Sequence, residues 1–264
     1  PGAFSHATDL KNRIFFTIFL LIIYRLGTYI PLAGIDPIAL QEIMSSSQKG
    51  LLGMFNMFSG GAVTRMAIFA LGIMPYISSS IIMTLMQSAI PYLKSLKEQG
   101  TKGRRQLLQY SRYMTVIIAA LQGYGVSIGL ESMQTAYGNI VFEPGIFFRM
   151  TTVITLVGGT IFLMWLGEQI SSRGVGNGIS LIITAGIIAN LPSAFVSTLQ
   201  LGRTGELSIA FILAILILIL ALIIFIVFVE KGQRRLPVQY PKRQVGNKIY
   251  GGQSSHLPLK INTA

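Results

Sequence analysis

The chain has 264 residues, of which 52% are hydrophobic and 11% charged; it has no cysteine and carries a net charge of +12. That is less than half the charge of an average globular domain, and the mean hydropathy is +0.62. An ordinary water-soluble enzyme, a disordered chain and a disulfide scaffold are thereby excluded, and a membrane protein is favoured.

Six candidate spans follow in chain order. Ile14–Ile30 is apolar apart from Thr17, Arg25 and Thr28, with Tyr24 and Tyr29 as interfacial anchors. Met66–Tyr92 is long but interrupted by Gly72 and Pro75, which is compatible with two pieces. Tyr113–Leu130 carries Gln122, and Ile146–Leu166 ends beside the single tryptophan, Trp165, where an aromatic belt places it. Ile179–Leu199 is interrupted by Pro192. Leu207–Val229 is unbroken apolar sequence from Ala210 onward, about the 20 residues a helix needs to cross a bilayer. No small-residue cleavage site of a signal peptide follows the first span. Residues 230–264 read as a solvent-facing basic loop or tail.

Alternating these spans sorts the charge. One set of connecting segments (1–13, 93–112, 167–178 and 230–264) holds sixteen of the 21 Lys and Arg residues and four acids, a net +12. The opposite set nets −1. Excess Lys and Arg mark the cytoplasmic side, so the N-terminus and residues 230–264 are expected there. Topology and contact with anionic lipid account for Lys94, Lys97 and Lys102. Two clusters are denser than orientation needs: Arg104-Arg105, and Arg234-Arg235 with Lys242-Arg243. Arginine suits phosphate and acidic surfaces because guanidinium binds them bidentately.

Between the first two spans lies a short Met/Phe-rich run, Leu51–Phe58, ended by Ser59-Gly60-Gly61. It is too short to span. The pattern is compatible with a re-entrant element, which requires surrounding protein or a cavity, and equally with an amphipathic helix on the outer surface. Pro75 points to a broken or kinked helix. Ile73 and Ile77 flank it at i, i+4 and so share a face; Ile179 and Ile183 repeat the spacing. By periodicity alone these pairs read as lipid-facing or core residues. Gly174-Val-Gly-Asn-Gly178 lacks a preceding strand and dinucleotide spacing, and reads as a tight turn. Glu168 reads as a structural ion-pair partner at a helix end.

Several long motifs then agree in order: Met54-Phe-Asn-Met-Phe-Ser-Gly-Gly-Ala62, Ile68-Phe-Ala-Leu-Gly-Ile-Met-Pro-Tyr-Ile-Ser78, Met164-Trp-Leu-Gly-Glu-Gln-Ile170, Arg173-Gly-Val-Gly-Asn-Gly-Ile-Ser180, Val229-Glu-Lys-Gly-Gln-Arg-Arg235 and His256-Leu-Pro-Leu-Lys260. Together they closely resemble the SecY family, the central subunit of the bacterial protein-conducting channel.

The resemblance implies an all-α polytopic helical bundle. It would be the first half of a ten-helix clamshell, comprising helices one to six and the start of the loop before helix seven. It implies an N-terminal half at 1–206 with five spans and a re-entrant plug at about 54–65, a sixth helix at 207–229, and a basic cytoplasmic loop at 230–264. The plug would comprise Met54, Phe55, Asn56, Met57, Phe58, Ser59, Gly60, Gly61 and Arg65. Ile73, Ile77, Ile179 and Ile183 match pore-ring positions, where branched aliphatic side chains seal by dewetting. Ser78, Ser79, Thr84 and Gln87 lie on the helix lining one side of the lateral gate; their polarity suits passage of a signal sequence or, alternatively, helix–helix hydrogen bonds. Arg104, Arg105, Arg234, Arg235, Lys242 and Arg243 fall in loops that dock the ribosome, through its rRNA, or the SecA ATPase.

The implied partners are SecE, SecG, SecA, the ribosome, signal sequences and nascent polypeptides, and anionic lipids, at the bacterial inner membrane. The implied role is a passive conduit, with no catalytic site, cofactor or metal. The alternative is an ion-coupled small-molecule transporter with broken helices. Such proteins carry ionisable residues at mid-membrane, and Arg25 is the basic candidate here, with no intramembrane acid clearly paired to it. An intramembrane hydrolase is a third option.

Overall fold

The computed structural model describes residues 8–36, 39–40, 56–135, 138–205, 207–238, 243–245, 248–250 and 255–260. The chain packs as two compact units, 1–193 and 194–264, the boundary falling inside a helix just after Pro192.

The first unit begins with α1 (Thr8–Gly27). After a stretch of turns come α2 (Met74–Ala89), α3 (Pro91–Glu98), α4 (Thr101–Ser132), a small ribbon of β1 (Gln134–Thr135) and β2 (Gly138–Asn139), α5 (Ile146–Arg173) and α6 (Gly178–Arg203). Each of the six expected spans contains a helix. Four helices, α4, α5, α6 and residues Ala210–Lys231, are long and apolar enough to cross a membrane.

Proline initiates helices here rather than breaking them. Pro75 and Pro91 both occupy the first turn, where the missing N–H has no helical partner to lose. Ile90 before Pro91 is extended (φ −102°, ψ 117°), as the pre-proline clash demands. The expected kink at Pro75 is thus a helix start, and the break in Met66–Tyr92 falls at Ile90 and in the turns before Met74. Pro192 does not stop α6, which runs on to Arg203.

The packing of α4 against its neighbours is set by small residues. The buried face of α4 is Gly103, Leu107, Ser111, Thr115, Ala119, Gly123, Ser127 and Leu130. This near four-residue period of mostly small side chains lets backbones approach without large side chains between them. A Cβ on Gly159 of α5 would lie 2.1 Å from the Ile68 carbonyl, so that approach also requires glycine.

Two ion pairs bracket the α4–α5 hairpin. Arg112 grips both carboxylate oxygens of Glu168 at 2.9 and 2.8 Å, the ion-pair role expected of Glu168. Arg149 meets Glu131 at 2.7 Å, and Glu131 also accepts from the Gly145 N–H at 2.9 Å. The pairs are nineteen positions apart on each helix, about 28 Å at 1.5 Å per residue, close to the ~30 Å hydrocarbon thickness.

The Gly174–Gly178 turn is tight, as its composition suggests. Gly176 has φ +73°, and a Cβ on Gly178 would lie 2.0 Å from the Gly167 carbonyl. Asn177 Oδ1 accepts from the N–H groups of Ile179 and Ser180, capping α6. Thr17 of α1 accepts from Val175 N–H at 3.1 Å, tying this turn to the first helix.

The second unit holds the end of α6, α7 (Ile209–Lys231), and four strands: β3 (Gln233–Val238), β4 (Arg243–Val245), β5 (Lys248–Tyr250) and β6 (Ser255–Lys260). Ser208 caps α7 by accepting from Phe211 N–H at 3.2 Å. The described side chains of α7 are exposed apart from half-buried Ile212 and Ile215, as fits a helix that is apolar all round with lipid or protein as its solvent. β3 pairs antiparallel with β6, and β4 with β5. The expected basic loop at 230–264 is therefore partly a β-ribbon.

Candidate functional site

Four isoleucines meet in one apolar cluster. Ile73 is the N-cap of α2, and Ile77 N–H donates to its carbonyl at 3.1 Å, so the two stack on one helix face. Ile179 and Ile183 occupy the first turns of α6. Ile73 is buried with Leu20, Tyr24, Phe69, Leu163 and Ile182, and Ile77, Ile179 and Ile183 pack partly buried against that group. The spacing alone did not distinguish core or lipid from a shared site; the fold brings both pairs together.

The glycine-rich turn adjoins this cluster through Ala62. Met54 and Phe55 lie outside the described residues. Asn56–Phe58 form a helical turn, and 59–66 continue as turns. Asn56 organises them: its carbonyl accepts from Gly61 N–H at 2.9 Å and its Oδ1 from Thr64 N–H at 3.1 Å. Gly60 and Gly61 have φ +66° and +85°, the left-handed region that glycine enters without penalty. The turn rests against α1 and α6. Tyr24 donates to the Ser59 carbonyl at 3.4 Å and Arg25 to the Gly60 carbonyl at 2.7 Å. A Cβ on Gly186 of α6 would lie 2.8 Å from the Phe58 carbonyl. Of the described part of the 54–61 run, Ser59, Gly60 and Gly61 are buried against α1 and α6, while Met57 and Phe58 remain exposed.

The α2 polar residues divide. Ser79 is fully buried and donates to the Ser111 carbonyl of α4 at 2.6 Å, a helix–helix bond. Thr84 and Gln87, with Ser80, line a cavity of about 560 Å³ between α2, α3 and α4; Lys97 and Arg104 stand among its walls. Ser78 is half-buried, outside that lining.

The described basic residues of this set lie on helix or strand. Arg104 and Arg105 are exposed in the first turn and a half of α4, because Gly103 lets that helix begin directly against α3. A Cβ on Gly103 would lie 1.6 Å from the Leu96 carbonyl. Arg234 and Arg235 are exposed on β3, opposite Leu259 and Pro258. Arg243 is in β4 opposite Tyr250, and Lys242 lies outside the described residues. Among the described residues, no group of three or more His, Cys, Asp or Glu could hold a metal ion.

Two contributors, Tyr24 and Arg25, were not among the site residues expected from the sequence. Arg25 and Arg65 both stand over the Tyr29 ring, at 5.0 and 4.2 Å, and Arg25 donates to the Tyr29 hydroxyl at 3.0 Å. Tyr24 was read as an interfacial anchor, yet it is buried against the turn. The only sequence signal was a charge inside a span.

The SecY family model matches residues 67–264. A protein translocase subunit SecY of Rickettsia bellii (strain RML369-C) is 58% identical over 98% of this chain and 60% of its own length. That of Escherichia coli (strain K12) is 49% identical over 97% of this chain and 58% of its own. The chain spans about three fifths of the length of these relatives. Among solved structures, one described as a protein conducting channel superposes with a TM-score of 0.63 at 18% identity, covering 95% of this chain and 53% of that one. Another, reported for the plug domain of the SecY protein, gives 0.61 at 19%, covering 95% and 52%. At these identities the likeness is one of fold.

Proposed function

The chain belongs to the SecY family, and from that premise we propose that it supplies the N-terminal half of a protein-conducting channel. That family is one of translocation channels rather than enzymes. In this reading residues 1–206 form the half-channel with the plug at about 54–65, 207–229 the sixth membrane helix, and 230–264 a cytoplasmic segment. The channel carries secretory polypeptides across the bacterial inner membrane and membrane proteins into it, driven by SecA or the ribosome. SecE and SecG complete the complex.

The observation that carries the reading is the apolar cluster holding Ile73, Ile77, Ile179 and Ile183, with the glycine-rich turn at 59–66 resting on α1 and α6. Branched aliphatic side chains close a pore by dewetting and offer a passing chain no polar group to bind. An ion-coupled transporter needs ionisable residues on a path through the membrane; Arg25 instead spends donors on Gly60 and Tyr29. The exposed Arg104-Arg105 and Arg234-Arg235 pairs suit a phosphate-rich or acidic docking partner. Thr84 and Gln87, lining the cavity beside α2, remain the gate-side candidates, whereas Ser79 serves packing.

The test is reconstitution of the full-length protein with SecE, SecG and SecA in vesicles, measuring protease protection of a signal-bearing polypeptide. Protected polypeptide supports the reading; none in a competent assay overturns it.

A further inference from the structure

Arg25 lies in the last turn of α1, within the first expected span, where an ion is costly unless held by partners. Its partners are unusual. Nη1 donates to the Gly60 carbonyl at 2.7 Å and Nη2 to the Tyr29 hydroxyl at 3.0 Å. One residue earlier, Tyr24 donates to the Ser59 carbonyl at 3.4 Å. Two consecutive residues of α1 therefore hold two consecutive carbonyls of the turn. Those carbonyls sit in turn conformation, and a backbone acceptor at membrane depth must find a donor.

The other side of the turn is fixed by shape. A Cβ on Gly186 would stand 2.8 Å from the Phe58 carbonyl, 3.0 Å from the Tyr24 hydroxyl and 3.2 Å from Gly60 N, and a Cβ on Gly60 would stand 3.1 Å from Gly186 Cα. Turn and α6 thus touch backbone to backbone. Arg65, on the turn's far end, packs over the same Tyr29 ring and reaches the Thr28 carbonyl at 3.5 Å. Among the described residues neither arginine forms an ion pair. Their charge is met by carbonyl dipoles and an aromatic face.

We propose that Tyr24 and Arg25 are the latch of the closed channel: donors on α1 that clamp the Ser59-Gly60 carbonyls while Gly186 of α6 provides the seat. The proposal rests on the reading of 54–65 as a plug. Moving the turn off its seat breaks both hydrogen bonds together and leaves Arg25 Nη1 without its acceptor, so the latch biases the channel shut. A bond from a charged donor is about twice as strong as a neutral one, which makes Arg25 the dominant member.

The experiment uses the full-length channel with SecE and SecG in planar bilayers, recording conductance without substrate. Arg25→Met, which keeps length and removes the donors, is expected to raise resting open probability about tenfold, and Arg25→Lys, which keeps a cation and a donor, by less. Gly186→Ala leaves Arg25 intact, pushes the turn outward, and is expected to raise it as well. In a channel lacking 56–65, Arg25→Met adds nothing further. Resting conductance of both Arg25→Met and Gly186→Ala equal to wild type overturns the latch, as does an equal rise with Arg25→Met in the channel lacking 56–65. Translocation by the wild type in the same preparation tests the channel reading separately, so the two fail distinguishably.

Discussion

Ile77→Ala separates a seal from a core. Ile73 is 5% exposed among Leu20, Tyr24, Phe69 and Leu163, whereas Ile77, one turn on, is only partly covered. Truncating a fully buried isoleucine to alanine costs about 2–5 kcal/mol through lost transfer energy and the cavity left behind. For the half-covered Ile77 the loss is about 1 kcal/mol, from roughly 0.8 kcal/mol per fully buried methylene. If both are only packing residues, Ile73→Ala dominates every readout. If both line a seal, Ile77→Ala raises ion leakage strongly while lowering the apparent melting temperature in detergent only slightly. The assay pairs single-channel conductance with thermal unfolding, for Ile73→Ala, Ile77→Ala and Ile179→Ala in the full-length protein. Wild-type conductance in Ile77→Ala and Ile179→Ala, with destabilisation confined to Ile73→Ala, would refute the ring and return these residues to the core.

Gly103→Ala places a methyl against the Leu96 carbonyl, and is expected to destabilise by about 1–3 kcal/mol as overpacking does; an unchanged melting temperature contradicts the close approach of α3 and α4. The Arg112–Glu168 pair is bidentate but a third to a half exposed, so a double-mutant cycle is expected to give about 0.5–1 kcal/mol that fades with salt; a coupling near zero at low salt removes it as a clamp. Replacing Arg104-Arg105 or Arg234-Arg235 by glutamate is expected to weaken ribosome or SecA binding and flatten its salt dependence. Wild-type affinity at every salt concentration would show these arginines to be topology signals alone.

The last helix was legible because nothing interrupts it, and Glu168 because a carboxylate at a helix end needs a partner. The identity of that partner was not legible: Arg112 is 56 residues away, and only the antiparallel packing of α4 and α5 joins them. The stripe Gly103, Leu107, Ser111, Thr115, Ala119, Gly123 and Ser127 was present at period four, yet small residues leave little trace in a hydropathy scan, so this buried face went unread. The β3–β6 ribbon was hidden for another reason. Pro237 and Pro258 argue against strands, but a two-stranded ribbon has only edges, where a proline need not donate to the ladder. Arg25 was visible as an anomaly; its partners were not, because backbone carbonyls have no sequence signature. Arg104 and Arg105 fell in the connecting segment 93–112 left between the spans, whereas the glycine before them allows a helix to start there.

The central claim is that this chain forms half of a conduit for polypeptides. The direct measurement is protease protection of a signal-bearing polypeptide in vesicles holding the full-length protein, SecE, SecG and SecA. The account predicts protected, full-length polypeptide that depends on its signal sequence. Absence of protected polypeptide, together with uptake of a small solute driven by an ion gradient in the same vesicles, would contradict it.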